Sequence, residues 1–222
     1  MIEVTDVSKK YYVGGDEIVA VDGVTLHIKK GEFVSILGHS GSGKTTLLSL
    51  MGGLTRPDRG TVLIDGTDIW TLGDDELSEF RNKKLNFIYQ FSSLISTLTV
   101  LENVLLPTYF GHNPSDEQVE LALELLEKMG IKDKVNSYPA HLSGGQQRRA
   151  AIARAFINNP DIILADEPTG DLDEETEAEV MELFKQMNRE KGITFVMVTH
   201  SSELARQTER VFRMSKGKLI EE

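Results

Sequence analysis

The segment GHSGSGKT, residues 38–45, constrains this chain more than any other. It fits the pattern G-x-x-x-x-G-K-[ST]. It lies between an apolar run of strand length, FVSIL (33–37), and a helix-like run, TLLSLMGGL (46–54). A strand, a glycine-rich turn and a helix in that order are the context in which the pattern has physical meaning. Gly38, Gly41 and Gly43 let successive backbone N–H groups turn inward and form a nest for phosphate oxygens. The helix start adds its partial positive charge. His39, Ser40 and Ser42 complete the loop, and Thr46 belongs to the first turn behind it. Lys44 is the residue type that neutralises β and γ phosphates, and the Thr45 hydroxyl can ligate Mg²⁺. The loop predicts binding of a nucleoside triphosphate.

The strand candidates around the loop set the fold class. VTLHI (24–28) alternates as a half-buried antiparallel strand does, and IEVTDV, IVAV and TVLID are short strand-like neighbours. FVSIL, LNFIY (85–89), DIILAD (161–166) and ITFVMVTH (193–200) are nearly continuous apolar runs, as in strands buried on both faces. Helices alternate with the last of these, which predicts a doubly wound α/β core. Between Phe91 and Pro160 the pattern becomes helical. Ser115 and Gln118 make a capping box, Val119, Ala122, Leu126 and Met129 form one apolar face, and Gly130 stands at the C′ position. A second stripe, Val180, Leu183, Phe184 and Met187, ends at Gly192. Both stripes are core-facing. The chain reads as one domain, 1–222: an α/β core with an N-terminal antiparallel β subdomain (1–90 and 160–222) and an inserted helical subdomain (91–159).

Composition excludes some partners. Thirty-five Asp and Glu against 24 Lys and Arg give a net charge of −11, which argues against nucleic acid, whose binding needs a basic face. Cysteine is absent, so no disulfide framework exists. No apolar run approaches the roughly 20 residues of a membrane span, and the N-terminus lacks the apolar core of a signal peptide. A soluble, cytoplasmic protein is expected.

DIILADEPT (161–169) supplies chemistry to match the loop. A buried strand delivers Asp166 and Glu167 from its C-terminal end, the edge at which such sheets bind ligands. Asp166 suits the Mg²⁺ shell, and Glu167 suits a base or water-orienting group. HLSGGQQRRAAIARAF (141–156) raises a further question. Its Ser143, Gly144 and Gly145 open a second helix start able to hold an anion.

The GHSGSGKT loop, then LSGGQ (142–146), ILADEPTGDLD (163–173) and VTH (198–200), resemble an ABC-type ATPase over essentially the whole chain. The resemblance implies a RecA-like P-loop NTPase core, ATP and Mg²⁺ as ligands, and an ATP-dependent homodimer. In that arrangement Ser143, Gly144, Gly145 and Gln146 act on the partner copy's ATP. It further implies that Tyr11 stacks on adenine, with Tyr12 as an alternative; such stacking contributes about 1–3 kcal/mol. Gln90 would touch both Mg²⁺ and the attacking water, and His200 would stand at the γ-phosphate. Asp173 would communicate across the dimer, and it also reads as a helix N-cap.

QFSSLISTLTVLENVLLP (90–107) and the signature region resemble in particular the lipoprotein-release and macrolide-export group. This implies an integral membrane permease as partner, with the chain peripheral on the inner face of the membrane. A non-transport relative, coupling ATP to cell-wall remodelling or sensing through a membrane subunit, is the alternative. The chain departs from the group at Ser93 and Ser96, usually Asn and Pro, at Arg148, usually Gln, at Asp171, usually Asn, and at Ser201, usually Asp. His39 stands where relatives commonly carry Pro. None of these changes removes a group that hydrolysis needs.

Overall fold

The computed structural model describes residues 1–110, 114–170 and 172–222; the departure at Asp171 lies outside them. The chain opens with β1 (Ile2–Val13) antiparallel to β2 (Asp16–Ile28), Ile2 opposite Ile28. IVAV and VTLHI, expected as two strands, are one. Gly23 between them takes φ 63, and the pairing shifts register between Val4 and Lys10. The glycine makes a bulge, which bends the strand without ending it.

The chain then crosses to a second sheet with β3 (Phe33–Leu37) and enters α1 (Lys44–Met51). It returns to the first sheet as β4 (Arg59–Ile64) and β5 (Thr67–Asp68), giving the order β2-β1-β4-β5. Next comes α2 (Asp74–Lys84), which no apolar stripe announces, because Leu77 is its one buried residue. Charge forms it instead. Asp74, Asp75 and Glu76 occupy the first turn and Arg81, Lys83 and Lys84 the last, each favourable to the helix dipole.

β6 (Leu85–Ile88) leads into the helical block of α3 (Val100–Leu105), α4 (Asp116–Lys128) and α5 (Gly144–Phe156). α4 has the expected Ser115–Gln118 capping box, and Gly130 follows it at φ 63. β7 (Ile162–Asp166), α6 (Glu174–Lys191), β8 (Thr194–Thr199), α7 (Ser202–Ala205) and the hairpin β9 (Arg210–Ser215) and β10 (Lys218–Glu221) complete the chain. The second sheet runs β10-β9-β3-β8-β7-β6, parallel throughout except for the edge strand β10.

The apolar runs are explained by two cores, one on each face of this parallel sheet. Val34, Ile36, Ile162, Leu164, Val196 and Val198 join α1 and the antiparallel sheet. Phe33, Ile163, Ala165, Phe195 and Met197 join α6 and the helical block. The inserted helices therefore share a core with the underside of the sheet. Among the described residues no helix is long and apolar enough to cross a membrane.

Candidate active site

The register of the parallel sheet gathers the candidate residues. Leu37 pairs with Thr199, Val198 with Asp166, and Ala165 with Ile88. The C-terminal ends of β3, β8, β7 and β6 thus lie along one edge, where ligands bind in open α/β sheets. The segments leaving that edge carry Gly38–Thr45, His200, Asp166 with Glu167, and Gln90.

Loop geometry follows from its glycines. Gly43 has φ 105, and a Cβ there would meet the Ala20 carbonyl oxygen at 2.0 Å, so only glycine lets β2 approach the loop. Gly43 is also the N-cap of α1 and offers no side-chain cap. The donors of the first turn at Lys44, Thr45 and Thr46 are left to an external acceptor. Lys44 is buried, and its ammonium donates to the carbonyls of Gly38 at 2.8 Å and His39 at 3.1 Å. The His39 carbonyl also accepts from the Ser42 N–H at 3.2 Å. Among the described residues the buried Ser42 hydroxyl has no hydrogen-bond partner. A buried cation, free amides and an orphaned hydroxyl around an open turn suit a phosphate chain. Ser40 and Gly41 stand exposed at its mouth.

Asp166 is buried at the end of β7. Burial holds its carboxyl above the usual range; the Thr45 hydroxyl bonds to it and opposes that shift, while the neighbouring Glu167 charge adds to it and Lys44 and Arg148 pull it down. A buried carboxylate beside a hydroxyl is a hard-oxygen pair that fits a divalent cation. Among the described residues no group of three His, Cys, Asp or Glu side chains forms a metal cage. A cation here would complete its shell from substrate and water oxygens, as Mg²⁺ commonly does.

Glu167 adopts φ 45, a left-handed conformation that costs a non-glycine residue roughly 1–2 kcal/mol. Its N–H donates to the Val198 carbonyl at 3.0 Å, which anchors the turn to the next strand. Its Oε2 lies 2.9 Å from His200 Nδ1. That contact engages Nδ1 and leaves Nε2 outside it. His200 is 65 % exposed and Glu167 only 19 %, so the carboxylate is the sheltered partner.

The remaining candidates fall into separate groups. Tyr11 and Tyr12 sit on the first hairpin, opposite Ile18 and Glu17. Tyr12 is 72 % exposed and its hydroxyl donates to Glu17 at 3.1 Å, whereas Tyr11, at 39 %, is the more sheltered ring. Ser143 is the N-cap of α5. Its hydroxyl accepts from the Gln146 N–H at 3.2 Å, and its own N–H donates to Gln146 Oε1 at 3.0 Å. Gly144 is open to solvent, and a Cβ on Gly145 would meet Leu172 at 3.6 Å. Among the described residues no hydrogen bond joins Ser143–Gln146 to Gly38–Thr45. Asp173 caps α6, accepting from the Thr176 N–H at 3.0 Å. Gln90 is exposed, and its carbonyl accepts from Arg148.

Sequence reasoning passed over Arg148 as a harmless departure. The structure buries it to 2 % exposure. The available signal was periodicity, for Arg148 precedes Ala151, Ile152 and Ala155 at i+3, i+4 and i+7 on the apolar face of α5.

Residues 21–170 match the family profile described as ABC transporter. The lipoprotein-releasing system ATP-binding protein LolD of Bacteroides fragilis is 43 % identical over 220 residues, 99 % of this chain and 100 % of its own. The macrolide export ATP-binding/permease protein MacB of Rhodopirellula baltica is 43 % identical over 224 residues. That match takes in 100 % of this chain and 33 % of the relative, so the chain spans a third of it. A solved dimeric structure of an ABC transporter cassette has a TM-score of 0.95 at 46 % identity, covering 100 % of this chain and 98 % of its own. A dimeric post-hydrolysis state of that cassette, bound to ADP and Pi, has a TM-score of 0.95 at 45 % identity with the same coverage.

Proposed function

The chain belongs to the ABC transporter family as an ATP-hydrolysing cassette, and from that premise we propose that it closes head-to-tail on a second copy around ATP to drive a membrane permease. The work is lipoprotein release, macrolide or peptide export, or a similar mechanical task. The chain sits peripherally on the inner face of the membrane through that partner.

The observation that carries the reading is the pairing of Glu167 with His200 at the ends of adjacent parallel strands, beside Asp166 and the Lys44 loop. The loop amides and Lys44 hold the triphosphate. Thr45, Asp166 and Gln90 would hold Mg²⁺, which when bound neutralises charge on the β and γ phosphates. Glu167 orients a water and accepts its proton as the water oxygen bonds to the γ-phosphorus. The bond from phosphorus to the β,γ-bridging oxygen breaks, and ADP and phosphate leave. His200, held through Nδ1 by the ionised Glu167, donates from Nε2 to the γ-phosphate, which takes a proton on each ring nitrogen. Tyr11 stacks on the base.

Ser143–Gln146 spend their hydrogen bonds on their own helix start and none on the loop of the same chain. The reading therefore assigns them to the nucleotide of the second copy, and Asp173 to communication across the dimer. The permease is assigned to a groove of about 720 Å³ lined by Leu54, Phe87, Tyr89, Pro107 and Phe110. Tyr89 and Phe110 are 41 % and 78 % exposed there, apolar surface that suits a protein contact.

Glu167→Gln tests the reading. The amide keeps the shape of the side chain but cannot take the proton. ATP binding should persist, turnover should fall by about a hundredfold or more, and the protein should elute as a dimer in ATP. An ATP-bound variant that stays monomeric at all concentrations would overturn the head-to-tail mechanism.

A further inference from the structure

α5 grips the segment that leaves β6 with three side chains. Gln147 Oε1 accepts from the Ser92 hydroxyl at 3.3 Å. Arg148 Nη1 donates to the Tyr89 carbonyl and Nη2 to the Gln90 carbonyl. Arg154 Nη1 and Nη2 donate to the carbonyls of Ser93 at 3.0 Å and Ser92 at 3.1 Å. The turn so held is bent, with Ser93 at φ 48.

Arg148 differs from the other two in its burial, being the largest fully buried side chain among the described residues. A guanidinium is costly to bury and persists where its donors are met. Its planar fork spans two consecutive carbonyls here, which fixes the peptide planes on both sides of Gln90 and hence the direction in which the Gln90 side chain leaves the backbone. The charge also acts on Asp166 at the end of the neighbouring strand. One short helix thus carries Ser143 at its start and, one turn further on, the clamp on Gln90.

We propose that Arg148 is a positioning residue for hydrolysis, locking the Gln90 backbone to the signature helix so that Gln90 reaches the attacking water only when that helix is seated. The proposal rests on the role given to Gln90 above. A displacement of the α5 start by a partner's nucleotide is carried to Gln90 through a helix of 13 residues rather than through a flexible loop.

The test is a double-mutant cycle on the full chain with Arg148→Lys and Gln90→Ala, reading kcat, KM and ATP affinity. Lysine keeps the buried charge but loses the two-pronged grip, and Arg148→Met serves as the stronger variant where it folds. Arg148→Lys is expected to melt within about 3 °C of the parent and to lose about tenfold in kcat through misplacement of Gln90. KM and ATP affinity should stay within about twofold, because no loop amide is touched. In the Gln90→Ala background, Arg148→Lys should bring no further loss. Unchanged kcat in Arg148→Lys, or losses that multiply in the double variant, would overturn the positioning role alone. Full kcat in Gln90→Ala would overturn the reading of Gln90 and the proposal with it.

Discussion

Two helix starts in this chain are assigned to phosphate in the proposed function, and they are finished differently. α1 begins at Gly43, in the left-handed region, without a side-chain cap and with a buried lysine as its first residue. α5 begins at Ser143 in extended geometry, and Ser143 and Gln146 satisfy each other's N–H groups reciprocally. The capping box leaves the amides of Gly144 and Gly145 as the first-turn donors still open. The first start therefore draws its donors and its cation from one continuous segment of the chain. The second is a capped helix end with two donors unpaired among the described residues and no cation of its own in its first turn. It suits a phosphate already held elsewhere, which is what a head-to-tail pair would present.

The comparison breaks most directly at Lys44. In the proposed function its two charge-assisted hydrogen bonds pass to phosphate oxygens on binding, and at roughly 1.5–3 kcal/mol each their loss amounts to at least about a hundredfold. Lys44→Ala should weaken ATP binding by that factor in calorimetric titration, with the fold retained. Asp166→Asn sharpens the same half-site by separating stability from activity. Burial raises the Asp166 pKa above its ordinary 3.8, so the folded state binds more protons than the unfolded state between 3.8 and the raised value. Its contribution to stability is complete below 3.8 and is lost as pH climbs through the raised value. At neutral pH the ionised, cation-free carboxylate is a cost. Asp166→Asn should raise the melting temperature in chelator by about 2–4 °C and flatten that pH dependence, while turnover falls by about a hundredfold.

The two starts were not equally legible. GHSGSGKT names its own geometry, because Gly43 is fixed by the close approach of Ala20 and a lysine in that place has one evident use. The parallel strands were legible too, since FVSIL and IILAD are buried at every position, the mark of a sheet covered on both faces. α2 was not, for a helix held by charge at its ends shows no periodicity in its apolar residues. The bulge at Gly23 was invisible because a glycine inside a β pattern is compatible with a turn or a kink. Arg148 was missed for a third reason. Two of the groups it bonds are backbone carbonyls of a segment 58 and 59 residues away in sequence, and a carbonyl carries no residue identity to match.

The second start is tested by two substitutions at Ser143. Aspartate caps a helix about as well as serine, and alanine loses about 1 kcal/mol. Ser143→Asp should therefore melt with the parent, while Ser143→Ala should melt about 2–4 °C lower. Neither should change ATP affinity in dilute, monomeric protein. A carboxylate facing a partner's triphosphate repels it, so Ser143→Asp should lower turnover at dimer-forming concentrations by about tenfold or more. Weakened ATP binding in the monomer would join the two starts into a single site within one chain and end the distinction drawn above.

The smallest effect is expected at His39, and it asks how many donors the first cradle uses. The His39 carbonyl is structural, accepting from the Ser42 N–H and the Lys44 ammonium. Proline keeps that carbonyl and removes only the N–H. It also restricts the preceding residue to extended geometry, and Gly38 is not among the glycines with positive φ. His39→Pro should leave kcat and KM within about threefold, since the loop would lose no hydrogen bond to phosphate. A fall of about tenfold or more with a normal melting curve is the size of one charge-assisted hydrogen bond. It would mean that the His39 amide is itself part of the nest, and that the cradle begins five residues before the helix-start donors at Lys44, Thr45 and Thr46.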